Sequence, residues 1–92
     1  MHPDNQMTDD QVNAAFRNLR RIKKQYDSKL DGHELAALMI GASILEGFNE
    51  GKRITGALAK LDFNKKHIGM ILKDLTGVQW SRNNVSGYYF MP

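Results

Sequence analysis

The segment that decides the fold is residues 57–75, which read ALAKLDFNKKHIGMILKDL. An apolar residue stands on each side of Asp62, with Leu61 before it and Phe63 after it. Asp is among the few residues besides glycine that tolerate a left-handed backbone, so Asp62 suits a tight turn. Asn64 then has the side chain of a good helix N-cap. The segment predicts a short helix, a tight turn and a second helix.

The second of these helices, predicted over residues 65–76, carries a regular apolar stripe. Its members recur at intervals of three and four residues and are Ile68, Ile71, Leu72 and Leu75. Such a stripe packs against a neighbouring element and leaves the opposite face exposed. The first helix is predicted over residues 54–61. Short helices joined in this way cross at a steep angle when apolar residues flank the turn.

Beyond the second helix the sequence changes from a helical period to a period of two. Val78 and Trp80 are predicted on one face of a first strand, and Tyr88 and Phe90 on one face of a second. Residues 81–87, SRNNVSG, are rich in the residues that favour turns. The pattern predicts a β-hairpin whose alternating aromatic residues seal the core.

A first upstream helix is predicted to begin after Thr8, a good N-cap, and to end near Tyr26. Its apolar residues recur at intervals of three and four. Its other side carries a row of basic residues, namely Arg17, Arg20, Arg21 and Lys24. We expect these residues to form a solvated face that is remote from any binding surface.

A second upstream helix is indicated by Asp31 and Glu34, which have the spacing of a capping box. It is predicted to run to about Asn49 and to be terminated by Gly51. Residues 35–48 are apolar nearly all round, which is typical of a helix that is buried on several sides. This helix is therefore the predicted centre of the fold, and a homodimer contact through it is an alternative.

The order of these elements resembles the winged helix-turn-helix superfamily. The resemblance covers residues 54–90, with residues 35–48 as the preceding core helix. It implies a mostly α fold with a C-terminal β-hairpin, that is, a winged helix-turn-helix with an additional N-terminal helix. The expected organisation is a flexible arm at 1–7, an accessory helix at 8–30 and the winged domain at 31–92.

The resemblance implies a DNA-binding protein, such as a small transcriptional regulator or accessory factor. In the superfamily the second helix of the turn, here about 65–76, enters the major groove, and a wing, here about 81–87, touches the duplex beside it. The implied nucleic-acid-binding residues are Asn64, Lys65, Lys66, His67, Lys73, Arg82, Asn83 and Asn84. Lysines suit phosphate contacts, which contribute to the affinity for DNA but not to sequence preference.

Two other residues on the same helix, Gly69 and Met70, lack side chains that form specific hydrogen bonds with base edges. This leaves a second hypothesis open, in which the chain is a winged-helix protein–protein interaction module without DNA binding. Fold class alone does not decide between the two.

The distribution of charge favours an anionic partner. The chain has 13 Lys and Arg against 10 Asp and Glu. Residues 31–50 carry four acidic residues and no Lys or Arg, whereas residues 51–92 carry seven Lys or Arg and two Asp. The basic excess therefore coincides with the predicted second helix of the turn and the wing.

Composition also narrows the classes of function. The chain has no cysteine, which excludes disulfides and thiolate metal sites. His2, His33 and His67 lack metal-ligand spacing with carboxylates, and we expect neither an enzyme nor a cofactor. Residues 1–10 lack the apolar core of a secretory signal, and the longest apolar run, 35–45, is too short to span a bilayer. A cytoplasmic protein without membrane contact is predicted.

Overall fold

The computed structural model of the chain describes residues 7–91, which form four α-helices and one two-stranded antiparallel sheet. The elements are α1 (Asp9–Tyr26), α2 (Gly32–Glu46), α3 (Gly51–Ala59), α4 (Lys65–Asp74), β1 (Ser81–Arg82) and β2 (Tyr89–Phe90). The predicted mostly helical chain with a C-terminal hairpin is confirmed. Residues 1–6 of the predicted flexible arm lie outside the described residues.

The starts of α1 and α2 are fixed by the capping side chains that the sequence indicated. Thr8 Oγ1 accepts a hydrogen bond from the Gln11 N–H at 3.2 Å, and the Gln11 side chain accepts from the Thr8 N–H at 2.9 Å. Asp31 Oδ1 accepts from the Glu34 N–H at 2.8 Å, and Glu34 Oε1 accepts from the Asp31 N–H at 3.2 Å. Two of the free N–H groups at each helix start are satisfied in this way.

The end of α2 differs from the prediction. Gly47 has φ 110°, and the N–H of Phe48 donates to the carbonyl of Ser43 at 2.9 Å. This is the hydrogen bond of a helix that stops on a left-handed residue. The predicted end near residue 49, with Gly51 as terminator, is wrong. Gly51 is instead the first residue of α3, which therefore begins earlier than predicted.

The turn between α3 and α4 has the predicted conformation. Asp62 has φ 73°, and the Phe63 N–H donates to the carbonyl of Leu58 at 3.0 Å. Asn64 caps α4, because its Oδ1 accepts a hydrogen bond from the N–H of His67 at 3.0 Å. The left-handed residue and the N-cap are both confirmed.

The core is built around α2, which packs against the other three helices and β2. The predicted central helix is confirmed, since α2 contributes more buried residues than any other helix described. Three of the four stripe residues on α4, Ile68, Ile71 and Leu72, are buried, and Leu75 is partly buried against them. The hydrophobic face of α4 is therefore the predicted one.

The hairpin is anchored to α4 by Trp80, which is buried as predicted. Its indole Nε1–H donates to the carbonyl of Leu72 at 3.0 Å, and the Thr76 hydroxyl donates to the same carbonyl at 2.6 Å. Val78 is wrongly predicted to share the inner face, since its side chain is 73% exposed. The reason is a tight turn at Gly77, which has φ 88° and delays the strand until after Trp80.

The inner face of β2 is also different from the prediction. Tyr89 packs against the core, and its N–H donates to the carbonyl of Asn49 at 2.7 Å. Phe90, predicted to be a core residue, is 49% exposed. Successive side chains of a strand point to opposite faces, so an inward Tyr89 turns Phe90 outward. The predicted alternation is therefore displaced by one residue.

Candidate nucleic-acid interface

The outward face of α4 carries exposed side chains opposite the buried stripe. Lys66 and Lys73 are both exposed and are seven residues apart, which is about two turns of helix. They therefore lie on one face, with Met70 between them at 52% exposure. Lys65, also exposed, lies at the side of this face. The three lysines predicted from the sequence are all accessible to a partner.

The N-terminus of α4 concentrates positive charge. Lys65 and Lys66 are the first two residues of the helix, where the helix dipole adds a partial positive charge. The Oδ1 atom of Asn64 is occupied by its hydrogen bond to the His67 N–H. The structure therefore gives Asn64 a capping role, while the two lysines remain available to a phosphate.

The ring of His67 lies against a neighbouring helix start. It is half-buried, and its centroid is 6.0 Å from that of His33 near the start of α2. His67 is one residue, or about 100°, round the helix from Lys66, so it does not share the outward stripe. His67 therefore lies beside the outward stripe of lysines and not within it.

The hairpin tip uses one of its two asparagines to build the turn. Asn83 Oδ1 accepts from the N–H groups of Val85 at 2.8 Å and Ser86 at 3.0 Å. Asn84 and Arg82 are exposed. The three wing residues predicted from the sequence are therefore all exposed, although the Asn83 oxygen is committed to the backbone.

The side chain of Arg82 lies over the tip of the hairpin. A Cβ atom at Gly87 would stand 3.2 Å from Arg82 Nη2, and Gly87 has φ 77°. Glycine at this position allows both the left-handed turn and the close approach of the guanidinium. The turn thus holds an exposed cation at the end of the hairpin.

A second group of basic residues, on α1, borders the turn between α3 and α4. The Nζ atom of Lys23 is 5.7 Å from the ring centroid of Phe63. A groove of about 430 Å³ is lined here by Arg20, Lys23, Lys24, Asp27, Lys60, Leu61 and Asp62. The basic face of α1 was expected to be solvated, and its Arg20 and Lys24 are exposed and line this groove beside Lys60. Lys60 was not predicted from the sequence, because no sequence pattern indicated that α1 would lie beside it.

Two findings concern other kinds of site. Within residues 7–91, no group of three or more His, Asp or Glu side chains is placed to hold a metal ion. None of the helices in this part of the chain is long and apolar enough to cross a membrane.

Comparison of the chain with protein-family models, with curated proteins and with solved structures finds no match. The support for a function therefore comes from the position of the basic residues on α4 and the hairpin.

Proposed function

We propose that the chain is a DNA-binding protein with a winged helix-turn-helix fold, in which α4 enters the major groove and the hairpin is the wing. The observation that carries this proposal is the exposed stripe of Lys66 and Lys73 opposite the buried stripe of α4. The left-handed turn at Asp62 and the hairpin that follows α4 support it. The biological role would be that of a small transcriptional regulator or accessory factor.

The proposed interface binds chiefly through phosphates. Lysine ammonium groups contact phosphate as point charges, and this contribution does not depend on base sequence. The outward face of α4 offers Gly69 and Met70 between its lysines, and neither forms a bidentate hydrogen bond with a base. We therefore expect strong dependence on salt and weak preference for sequence.

The experiment is a salt titration of binding to a random-sequence duplex, followed by fluorescence anisotropy. Lys66→Ala should weaken binding to all sequences and lower the slope of log K against log salt by about one unit, because one phosphate contact is lost. The matched control is Arg21→Ala, which removes the same charge from α1. Arg21 lies away from the groove of α1, and its Nη2 donates to Asn18 Oδ1 at 3.1 Å.

The wing is tested in the same assay with Arg82→Ala. We expect this variant to weaken binding more on A/T-rich DNA, because a narrow minor groove attracts arginine. Equal losses for Lys66→Ala and Arg21→Ala would show that only net charge matters, and would remove α4 from the interface.

A protein-interaction module is the second candidate, and exposed apolar side chains favour it. Met70 lies in the middle of the outward face of α4, and Val85 at the hairpin tip is 98% exposed. Apolar side chains on a binding face contribute more to protein interfaces than to phosphate contacts. Failure of the wild-type chain to bind any duplex at low salt would favour this candidate over DNA binding.

A further inference from the structure

A groove of about 610 Å³ lies between α1 and α3, and it shares only Lys65 with the proposed DNA interface. Its floor is apolar and includes Phe16 of α1, Phe48 of the loop before α3, and Ala57 of α3. The two phenylalanine rings are 5.5 Å apart between centroids and are inclined at 54°. The floor thus offers two aromatic surfaces that an apolar molecule can cover.

The rim of this groove is cationic. Arg53, Lys60 and Lys65 line it, and none of the lining residues among 7–91 has a carboxylate side chain. Lys60 Nζ is 5.5 Å from the ring centroid of Phe16, so a cation stands directly at the aromatic floor. Arg53 is paired with Glu50, with 3.5 Å between Nε and Oε1, whereas Lys60 and Lys65 are exposed. An apolar floor beside two exposed lysines is complementary to a molecule with an apolar body and one anionic group.

Gly56 leaves part of this groove open. It lies in the interior of α3 and lines the groove, and a Cβ atom added there would meet nothing within 4 Å. Alanine or a larger residue would be the more stable choice inside a helix. The space at Gly56 is therefore available to a ligand.

We propose that this groove binds a small organic anion, with an aromatic or aliphatic body against Phe16 and Phe48 and a carboxylate, sulfonate or phosphate group at Lys60 and Lys65. The size of the groove is that of small-molecule sites, which are typically about 300–1,000 Å³ with an apolar lining and few polar groups. Ten of residues 7–91 line it, whereas a stable protein interface involves about 20–30 residues on each side. The inference does not depend on DNA binding.

The test uses two fluorescent probes of nearly the same shape on the complete chain. 1-Anilinonaphthalene-8-sulfonate is an anion, and N-phenyl-1-naphthylamine is its neutral counterpart. We expect the anion to bind about fivefold more tightly, because it gains two exposed charge contacts. Lys60→Ala should weaken binding of the anion by about threefold and leave binding of the neutral probe nearly unchanged.

Gly56→Leu fills the groove and should weaken binding of both probes by about tenfold, since the probe loses apolar burial. The matched control is Gly69→Leu, which places the same side chain on α4, where a Cβ also meets nothing within 4 Å. This control should leave probe binding unchanged. Thermal melts of both variants show whether the fold is retained.

Three results would overturn the inference. These are the absence of probe binding to the wild-type chain, equal affinities for the two probes, and unchanged binding in a folded Gly56→Leu variant. If Gly56→Leu does not fold, the comparison of the two probes in Lys60→Ala decides the question, since a loss equal for both probes contradicts an anion site. None of these readouts involves DNA.

Discussion

Asp62 holds a left-handed backbone conformation between α3 and α4, with φ 73°. This conformation costs an ordinary L-residue about 1–2 kcal/mol, and Asp is one of the residues that adopt it most readily. The side chain is exposed, so its effect on stability comes from the backbone rather than from packing. The sequence could predict this turn because the constraint is local to one residue.

Substitutions at Asp62 should therefore separate backbone strain from charge. Asp62→Gly should raise the free energy of unfolding by about 0.5–1 kcal/mol, and Asp62→Val should lower it by about 1–2 kcal/mol. Asp62→Asn is the control, since it removes the charge but tolerates the same backbone. Urea denaturation measures all three. A stabilisation by Asn as large as that by Gly would mean that charge, not conformation, dominates.

The asparagines show a limit of assigning roles to single residues from the sequence. Asn64 was predicted both to cap α4 and to bind nucleic acid, and Asn83 to bind nucleic acid. The Oδ1 atom of each accepts backbone hydrogen bonds. The same side chain can cap a helix, close a turn or contact a base. The sequence indicated the capping role of Asn64, but it does not show whether a capping or turn-forming asparagine also contacts a base. Lys65, Lys66 and Lys73 could be predicted as accessible, because their place relative to the apolar stripe follows from helical geometry.

At the scale of elements, helix starts could be predicted from the sequence more reliably than helix ends. Thr8, Asp31 and Asn64 signal a start through a specific side-chain hydrogen bond. Either Gly47 or Gly51 could end α2, and the local sequence does not show which of them does. Packing favours glycine at 47, because a Cβ atom there would lie 3.2 Å from the Sδ atom of Met7. No local sequence pattern indicates that Met7 lies so close.

The register of the hairpin could not be predicted for a different reason. The strands β1 and β2 are only two residues long, and Arg82 pairs with Tyr89. Residues 88–90 are all aromatic, so a period of two fits equally well with Tyr88 and Phe90 on the inner face or with Tyr89 there. Contacts with Gly51 and Asn49 fix the inner residue instead.

Two alanine substitutions test this register. Tyr89→Ala should lower the free energy of unfolding by about 1–3 kcal/mol, because a partly buried ring is removed from the core. Phe90→Ala should change it by less than about 1 kcal/mol, because that ring is half exposed. Chemical denaturation of both variants gives the comparison. A larger loss for Phe90 would place the strand one residue out of the register described.

For the whole molecule, the arrangement of charge depends on how α1 docks. The sequence showed a basic face on α1, but the partner of that face is set by packing of α1 on α2. The structure places Arg20 and Lys24 beside Lys60, near the turn into α4. Tertiary packing therefore decides which basic residues are neighbours, and local periodicity cannot supply this information.

The homodimer expected from the apolar α2 stays a prediction, and the structure limits the surface of α2 that could form it. Most of α2 is covered within one chain. Leu45 is 73% exposed, and Leu38 and Ala42 beside it are partly buried. We expect association to be weak, because stable interfaces bury about 800 Å² per partner. Sedimentation equilibrium should detect it only at high concentration, and Leu45→Glu should abolish it. A mass of 10.5 kDa at every concentration would contradict the dimer.

The hydrogen bond from Trp80 to α4 makes the molecule its own spectroscopic reporter. Trp80 is the single tryptophan of the chain, and its indole is buried against the carbonyl of Leu72. Its emission therefore reports the separation of the hairpin from α4, with a shift to longer wavelength when water reaches the ring. Exchange of the indole proton for deuterium reports the same opening while the rest of the chain stays folded. Local detachment of the hairpin can thus be distinguished from global unfolding without any added label.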